Sequence, residues 1–337
     1  MAYPWHSQTF EALLKRRDRL PHALLLRGRE GIGKLAFAEA LARALLCENR
    51  RPDGRACGTC APCNWMEQGS HPDFRRLEPE ILSEPRESED GPEKKKPSLE
   101  IRIEQVREIA GFIAMTTHRG GAKVVLIHPA ETLNVNAANA LLKNLEEPPP
   151  GTHFLLVAHR WHQLLPTIRS RCEQVVLAAP SHAEARDWLE RQKLRDADLA
   201  LAQAGGAPLL AVKLDEDYWR QRAALLTAIT SPGFDSLCTA EQLRETAPAL
   251  VVGLLQKWAF DLVSHKVTGK VRYNPDLVDA VATTAAQLDL IEAVRFQRYM
   301  VRLQRIVSHP LNARLFLEQM LLAYAALLRR SPSALAV

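Results

Sequence analysis

Four cysteines, Cys47, Cys57, Cys60 and Cys63, lie close together, the last three at Cys-x2-Cys-x2-Cys spacing. Thiolates at such short steps can wrap a tight loop around Zn²⁺, which favours four soft ligands in a tetrahedron. In a reducing compartment this cluster reads as a metal site and not as disulfides. Four thiolates leave no open coordination position, so residues 47–63 read as a structural zinc module. His71 is an alternative to Cys47 as the fourth ligand. Cys172 and Cys238 stand alone and read as packed thiols.

A second group points to phosphate chemistry. Gly28-Arg29-Glu30-Gly31-Ile32-Gly33-Lys34-Leu35 nearly matches G-x-x-x-x-G-K-[ST]. Glycines let backbone N–H groups converge on phosphates, and a lysine pairs with the outer ones. Gly28, Gly31, Gly33 and Lys34 supply these parts. Leu35, however, has no hydroxyl for Mg²⁺. A hydrolysing site also needs an apolar strand that ends in carboxylates. The matching run, Lys123 to Ile127, ends in His128-Pro129-Ala130-Glu131. An imidazole and a proline do not replace hard oxygen ligands, and Glu131 comes three residues late and reads as a surface or helix-start acid. Two metal-handling positions are therefore lost. Hydrolysis is not expected, and nucleotide binding is left open.

These residues need a scaffold, and the first half supplies its pattern. Apolar runs at 23–26, 123–127 and 153–158 and the strand-like segment 99–103 read as strands, and 34–46, 106–115 and 136–147 as helices. The alternation predicts parallel strands with crossover helices on both faces. Beyond about Pro180 the strand signal stops. Segments 183–194, 196–204, 216–229, 241–265, 275–288, 290–307 and 312–329 carry helical spacing, with a boundary near Gly205-Gly206-Ala207-Pro208. Ser83 to Ser98 has no aliphatic or aromatic residue and reads as a flexible, charged surface insertion.

Composition sets outer limits. The chain has 337 residues, 44 Lys+Arg against 39 Asp+Glu, and 47% apolar residues. Collagenous, disordered and disulfide-scaffold classes are excluded. Neither an 18-residue apolar run nor a secretory leader is present, so the cytosol is the expected address. A net charge of +5 permits a nucleic-acid partner without implying one.

Further along, Asn139-Ala140-Leu141-Leu142-Lys143-Asn144-Leu145-Glu146-Glu147-Pro148-Pro149 is followed by Phe154-Leu155-Leu156 and Thr167-Ile168-Arg169-Ser170-Arg171-Cys172. In type, order and spacing these resemble the AAA+ clamp-loader family of bacterial DNA polymerase III. Tyr3-Pro4-Trp5, the strand at His22 to Leu26, the cysteine module and His71-Pro72-Asp73 narrow the resemblance to its non-hydrolysing member, over about residues 1–212. The resemblance implies a RecA-like α/β AAA+ domain over 1–179 with the zinc module inserted. A small helical lid over 180–214 and an all-α collar over 215–337 would follow. It implies partners: the tau/gamma ATPase subunits, the clamp-opening delta subunit and, through the complex, the sliding clamp and primed DNA. It also gives Arg171 a role, as an arginine finger in trans at the neighbouring ATP site. The sensor-like Gly206-Ala207-Pro208-Leu209-Leu210 lacks the arginine that hydrolysing relatives carry there. The competing readings are a tau/gamma-like ATP-hydrolysing motor and a zinc-dependent nucleic-acid-binding module.

Overall fold

The computed structural model describes residues 2–83, 97–118, 121–307, 309 and 312–329. The chain forms two compact units, Met1–Ser181 and His182–Val337. Most of the charged insertion read over 83–98 lies outside the described residues. Among the described residues no helix is long and apolar enough to cross a membrane.

The first unit is built on five parallel strands: β1 (Ala23–Arg27), β2 (Phe74–Leu77), β3 (Lys123–Ile127), β4 (Thr152–Ala158) and β5 (Glu173–Val176), in the order β2-β3-β4-β1-β5. Among the described residues six helices accompany them: α1 (Ser7–Lys15), α2 (Lys34–Leu46), α3 (Ala61–Glu67), α4 (Ile103–Ala114), α5 (Val135–Glu146) and α6 (Pro166–Ser170). The three central strands are apolar on both faces because both faces are covered. Leu25, Val125, Ile127, Phe154 and Leu156 pack with Val106 and Ile109 of α4 and with Leu141 and Leu145 of α5. Leu24, Leu26, Val124, Leu126 and Leu155 face the other way, toward Phe37 and Leu41 of α2 and Phe10 of α1. The alternation within each strand divides the core in two.

At the margins of the sheet the structure departs from the sequence reading. Leu99 to Ile103 is not a strand: Ile101 makes a single parallel bridge to Leu133, and the chain turns at once into α4. Arg102 N–H donates to Gln105 Oε1 at 2.9 Å, which fixes that turn. Conversely, β2 and β5 gave no apolar run. They are the two edge strands, and their sequences, Phe-Arg-Arg-Leu and Glu-Gln-Val-Val, carry the charged and polar residues that edges tolerate.

The second unit is helical: α7 (His182–Arg191), α8 (Ala197–Gln203), α9 (Pro208–Ala211), α10 (Glu216–Thr230), α11 (Ser236–Gln242), α12 (Pro248–Thr268), α13 (Val278–Gln287), α14 (Leu290–Ile306) and α15 (Ala313–Arg329). The helix expected over 241–265 is split, because Pro248 can open a helix but not continue one. Trp258 of α12 is fully buried, and its Nε1 donates to Tyr324 Oη at 3.0 Å. Asp261, also fully buried, accepts the backbone N–H groups of Arg272, Tyr273 and Asn274. Arg222 donates to Asp276 at 2.7 and 2.8 Å and to Asn274 Oδ1 at 2.9 Å. Gln203 of α8 reaches the same Asn274 Oδ1 and the Tyr273 carbonyl. The buried carboxylate thus has its donors and the two terminal nitrogens of the buried guanidinium their acceptors, while Arg222 Nε is buried without one.

Candidate functional site

Open parallel sheets place their ligands at the carboxyl ends of the strands, and three such ends meet here. The glycine-rich loop follows β1, His128 ends β3, and His159 ends β4. Gly31 and Gly33 adopt φ of +74° and +93°, which L side chains resist. At Gly33 a Cβ would meet the Tyr3 ring at 2.2 Å. The N-terminal segment therefore lies directly against the loop. Tyr3 stacks on Trp5 with centroids 5.0 Å apart. Trp5 Nε1 donates to the Ile32 carbonyl at 2.9 Å, and His6 Nε2 lies 2.9 Å from the same oxygen.

Lys34 sits inside this arrangement with only 2% of its surface exposed. Its Nζ donates to the Gly28 carbonyl at 2.9 Å and also to the Arg29 carbonyl. Burial lowers its ammonium to about 8, against the opposing pull of Glu131 and Glu30. The lysine of the phosphate loop is thus bonded to the loop itself.

At the strand ends, the His128 and His159 rings meet edge to face with centroids 5.3 Å apart. The Nδ1 of each is buried with no hydrogen-bond partner. Burial, with the facing His159 second, pulls His128 down to about 4; burial, then Lys34 and Arg160, does the same for His159. Glu131 is not a free surface acid. Its carboxylate accepts the backbone N–H groups of His159 at 2.9 Å and Arg160 at 2.8 Å, closing the end of β4.

A pH dependence follows. Both histidines have folded values below their ordinary 6.5, so between about 6.5 and 4 the unfolded chain binds more protons. Stability is fully present above 6.5 and is lost as pH falls toward 4, by up to about 1.4 kcal/mol per pH unit for each ring. The urea midpoint should fall between pH 7 and pH 5. It should fall less in the His128→Asn/His159→Asn variant, and equal slopes in the two proteins would contradict the assignment.

The cysteines converge as their spacing predicts. Cys47 ends α2, Cys57 lies in the following loop, and Cys60 and Cys63 flank the start of α3. The sulfurs lie within 4.8 Å of one another, within reach of one metal ion. Cys47 Sγ is 3.6 Å from Cys57 Sγ and 3.8 Å from Cys60 Sγ, and Cys57 Sγ is 3.9 Å from Cys63 Sγ. The N–H groups of Thr59 and Cys60 point at Cys57 Sγ, at 3.4 and 3.3 Å. With the Thr59 hydroxyl they hold the Cys57 thiol down at about 6. His71 is elsewhere: its Nδ1 accepts the Asp73 N–H at 3.0 Å, and it is not part of the cluster. Of the two lone cysteines, Cys172 is buried as expected, whereas Cys238 is exposed.

Arg171 lies at the end of α6, with its side chain one-third exposed. Its Nη1 donates to the Thr167 carbonyl at 2.9 Å, and its Nη2 pairs with Glu146 at the end of α5. Neighbouring Arg169 takes a different course and lies over the Trp161 ring, 5.3 Å from its centroid. Sequence reading missed the Trp5 and His6 contacts on Ile32, the His128–His159 pair and the Glu146 contact. Only the aromatic content of Tyr3-Pro4-Trp5-His6 hinted at the first.

A family described as DNA polymerase III, delta subunit, matches residues 5–181. A curated delta' subunit of DNA polymerase III from Pseudomonas aeruginosa is 39% identical over 77% of this chain and 75% of its own. The chain belongs to the delta' family of DNA polymerase III subunits. The Escherichia coli delta' subunit is 34% identical over 95% of this chain and 94% of its own, so the likeness to this family runs through both units. Among solved structures, a gamma-subunit-related protein from Thermotoga maritima is similar at a TM-score of 0.48 and 22% identity, covering 96% of this chain and 99% of that one.

Proposed function

We propose that this chain is the non-hydrolysing stator of a clamp-loader complex and that it donates Arg171 to the ATP site of an adjoining ATPase subunit. The partners are the tau/gamma-type ATPases and the delta subunit. The complex as a whole loads the sliding clamp onto primed DNA for the replicative polymerase in the cytoplasm. The observation that carries the reading is an asymmetry. The chain's own phosphate site lacks its Mg²⁺ ligands, at Leu35 and at His128-Pro129, and its Lys34 is bonded to loop carbonyls. Yet Arg171 stands part-exposed at the end of α6. A guanidinium is permanently charged and planar, so it can offset negative charge that spreads over a transferring phosphoryl group next door. The purified chain with Mg²⁺ and ATP should show no turnover above background. Robust turnover by the chain alone would support a tau/gamma-like motor instead.

In this reading residues 1–179 form the AAA+ domain, 180–214 the lid and 215–337 the collar through which the ring assembles. The cysteine module holds a structural Zn²⁺ on Cys47, Cys57, Cys60 and Cys63. Four ligands placed tetrahedrally about 2.3 Å from zinc stand about 3.8 Å apart. The sulfur separations of 3.6, 3.8 and 3.9 Å fit that figure. With all four positions taken by thiolates, the ion's part is to tie the loop between α2 and α3, with no role in hydrolysis.

A further inference from the structure

Helix α5 ends in Glu146, followed by Glu147. The backbone dipole is negative at that end, so two carboxylates are locally unfavourable there unless a cation is brought to them. Lys143 lies in the helix's own last turn, and a second cation is brought to Glu146 itself: Arg171, 25 positions further along the chain and at the end of a different helix. Its guanidinium is folded back on its own subunit: Nη2 pairs with Glu146, and Nη1 reaches the Thr167 carbonyl at 2.9 Å and Ser170 Oγ at 3.5 Å. Part of the compensation thus falls on the residue read as acting elsewhere.

We propose that Glu146 is a latch that parks Arg171 against its own subunit until the triphosphate of the adjoining ATPase draws it away. This rests on the reading of Arg171 as a finger. The chemistry suits a release. One carboxylate, itself about half exposed, holds the guanidinium weakly, whereas a triphosphate offers several negative oxygens and the same planar fit. Glu146 is then a positioning residue, and its effect falls on how much ATP is needed to engage the finger.

The test uses the complex reconstituted with its ATPase subunits and measures hydrolysis against ATP concentration. Glu146→Gln should lower the ATP concentration for half-maximal hydrolysis about two- to fivefold, the range expected for a half-exposed pair. Glu146→Asp, which keeps the charge, should return it toward the wild-type value. Arg171→Ala/Glu146→Gln should match Arg171→Ala alone, because a latch with nothing to hold has no effect. An unchanged or raised ATP requirement in Glu146→Gln would overturn the latch while leaving the finger in place. Full activity in Arg171→Ala would remove the finger and the latch with it.

Discussion

Replacing Arg171 by alanine is expected to slow hydrolysis at the adjoining subunit's ATP site by about 10³–10⁵-fold, with the variant chain folded and assembled. The size follows from what a guanidinium does at a water-poor phosphate site. It is already charged, already oriented, and needs no reorganisation as negative charge spreads over the transferring group. The small effect on folding follows from the surroundings. Arg171 is one-third exposed, and its ion pair with Glu146 is worth at most about 1 kcal/mol. Single-turnover hydrolysis in the reconstituted complex should lose one kinetic phase, and the other ATP sites should keep theirs. Arg171→Lys keeps the charge but not the fork, so it should recover only part of the rate. Unchanged single-turnover kinetics in Arg171→Ala would exclude the role.

Cys60→Ser should release the metal. A serine hydroxyl is a poor replacement for a thiolate, and a structural zinc site contributes its binding energy directly to local folding, on the order of several kcal/mol. The consequence should stay local. Cys60 closes the loop at the start of α3, whose contribution to the core on the central strands is Met66. Elemental analysis should give one zinc per wild-type chain and a sharply reduced content in the variant. Trypsin should then cut the loosened loop after Arg50 or Arg55 while the rest of the first unit persists. A wild-type protein without stoichiometric zinc would contradict the assignment.

How much of this was legible beforehand depended on whether the signal was local. Leu24, Leu26, Val124, Leu126 and Leu155 announce buried strands because each run is apolar on both faces, and the central three strands follow. The edge strands were silent, since Arg75, Arg76 and Glu173 are the residues an edge permits and a loop permits equally. Leu99 to Ile103 looked like a strand because its apolar residues alternate, but of these residues Ile101 alone makes a bridge, to Leu133. The cysteine cluster was readable because chelation by short loops is itself a local property. Choosing Cys47 over His71 needed tertiary structure, since it depends on where α2 ends. The same holds for Glu131, read as a surface or helix-start acid, whose hold on the end of β4 is set by tertiary structure, and for Glu146, whose partner is set by the packing of α5 against α6.

The most direct measurement is a structure of the assembled loader, trapped with a transition-state mimic of the phosphoryl group in the ATPase next to this chain. The account predicts the Arg171 guanidinium within hydrogen-bond distance of that group, with Glu146 released. Arg171 still paired to Glu146 and turned away from the neighbour's nucleotide would contradict it.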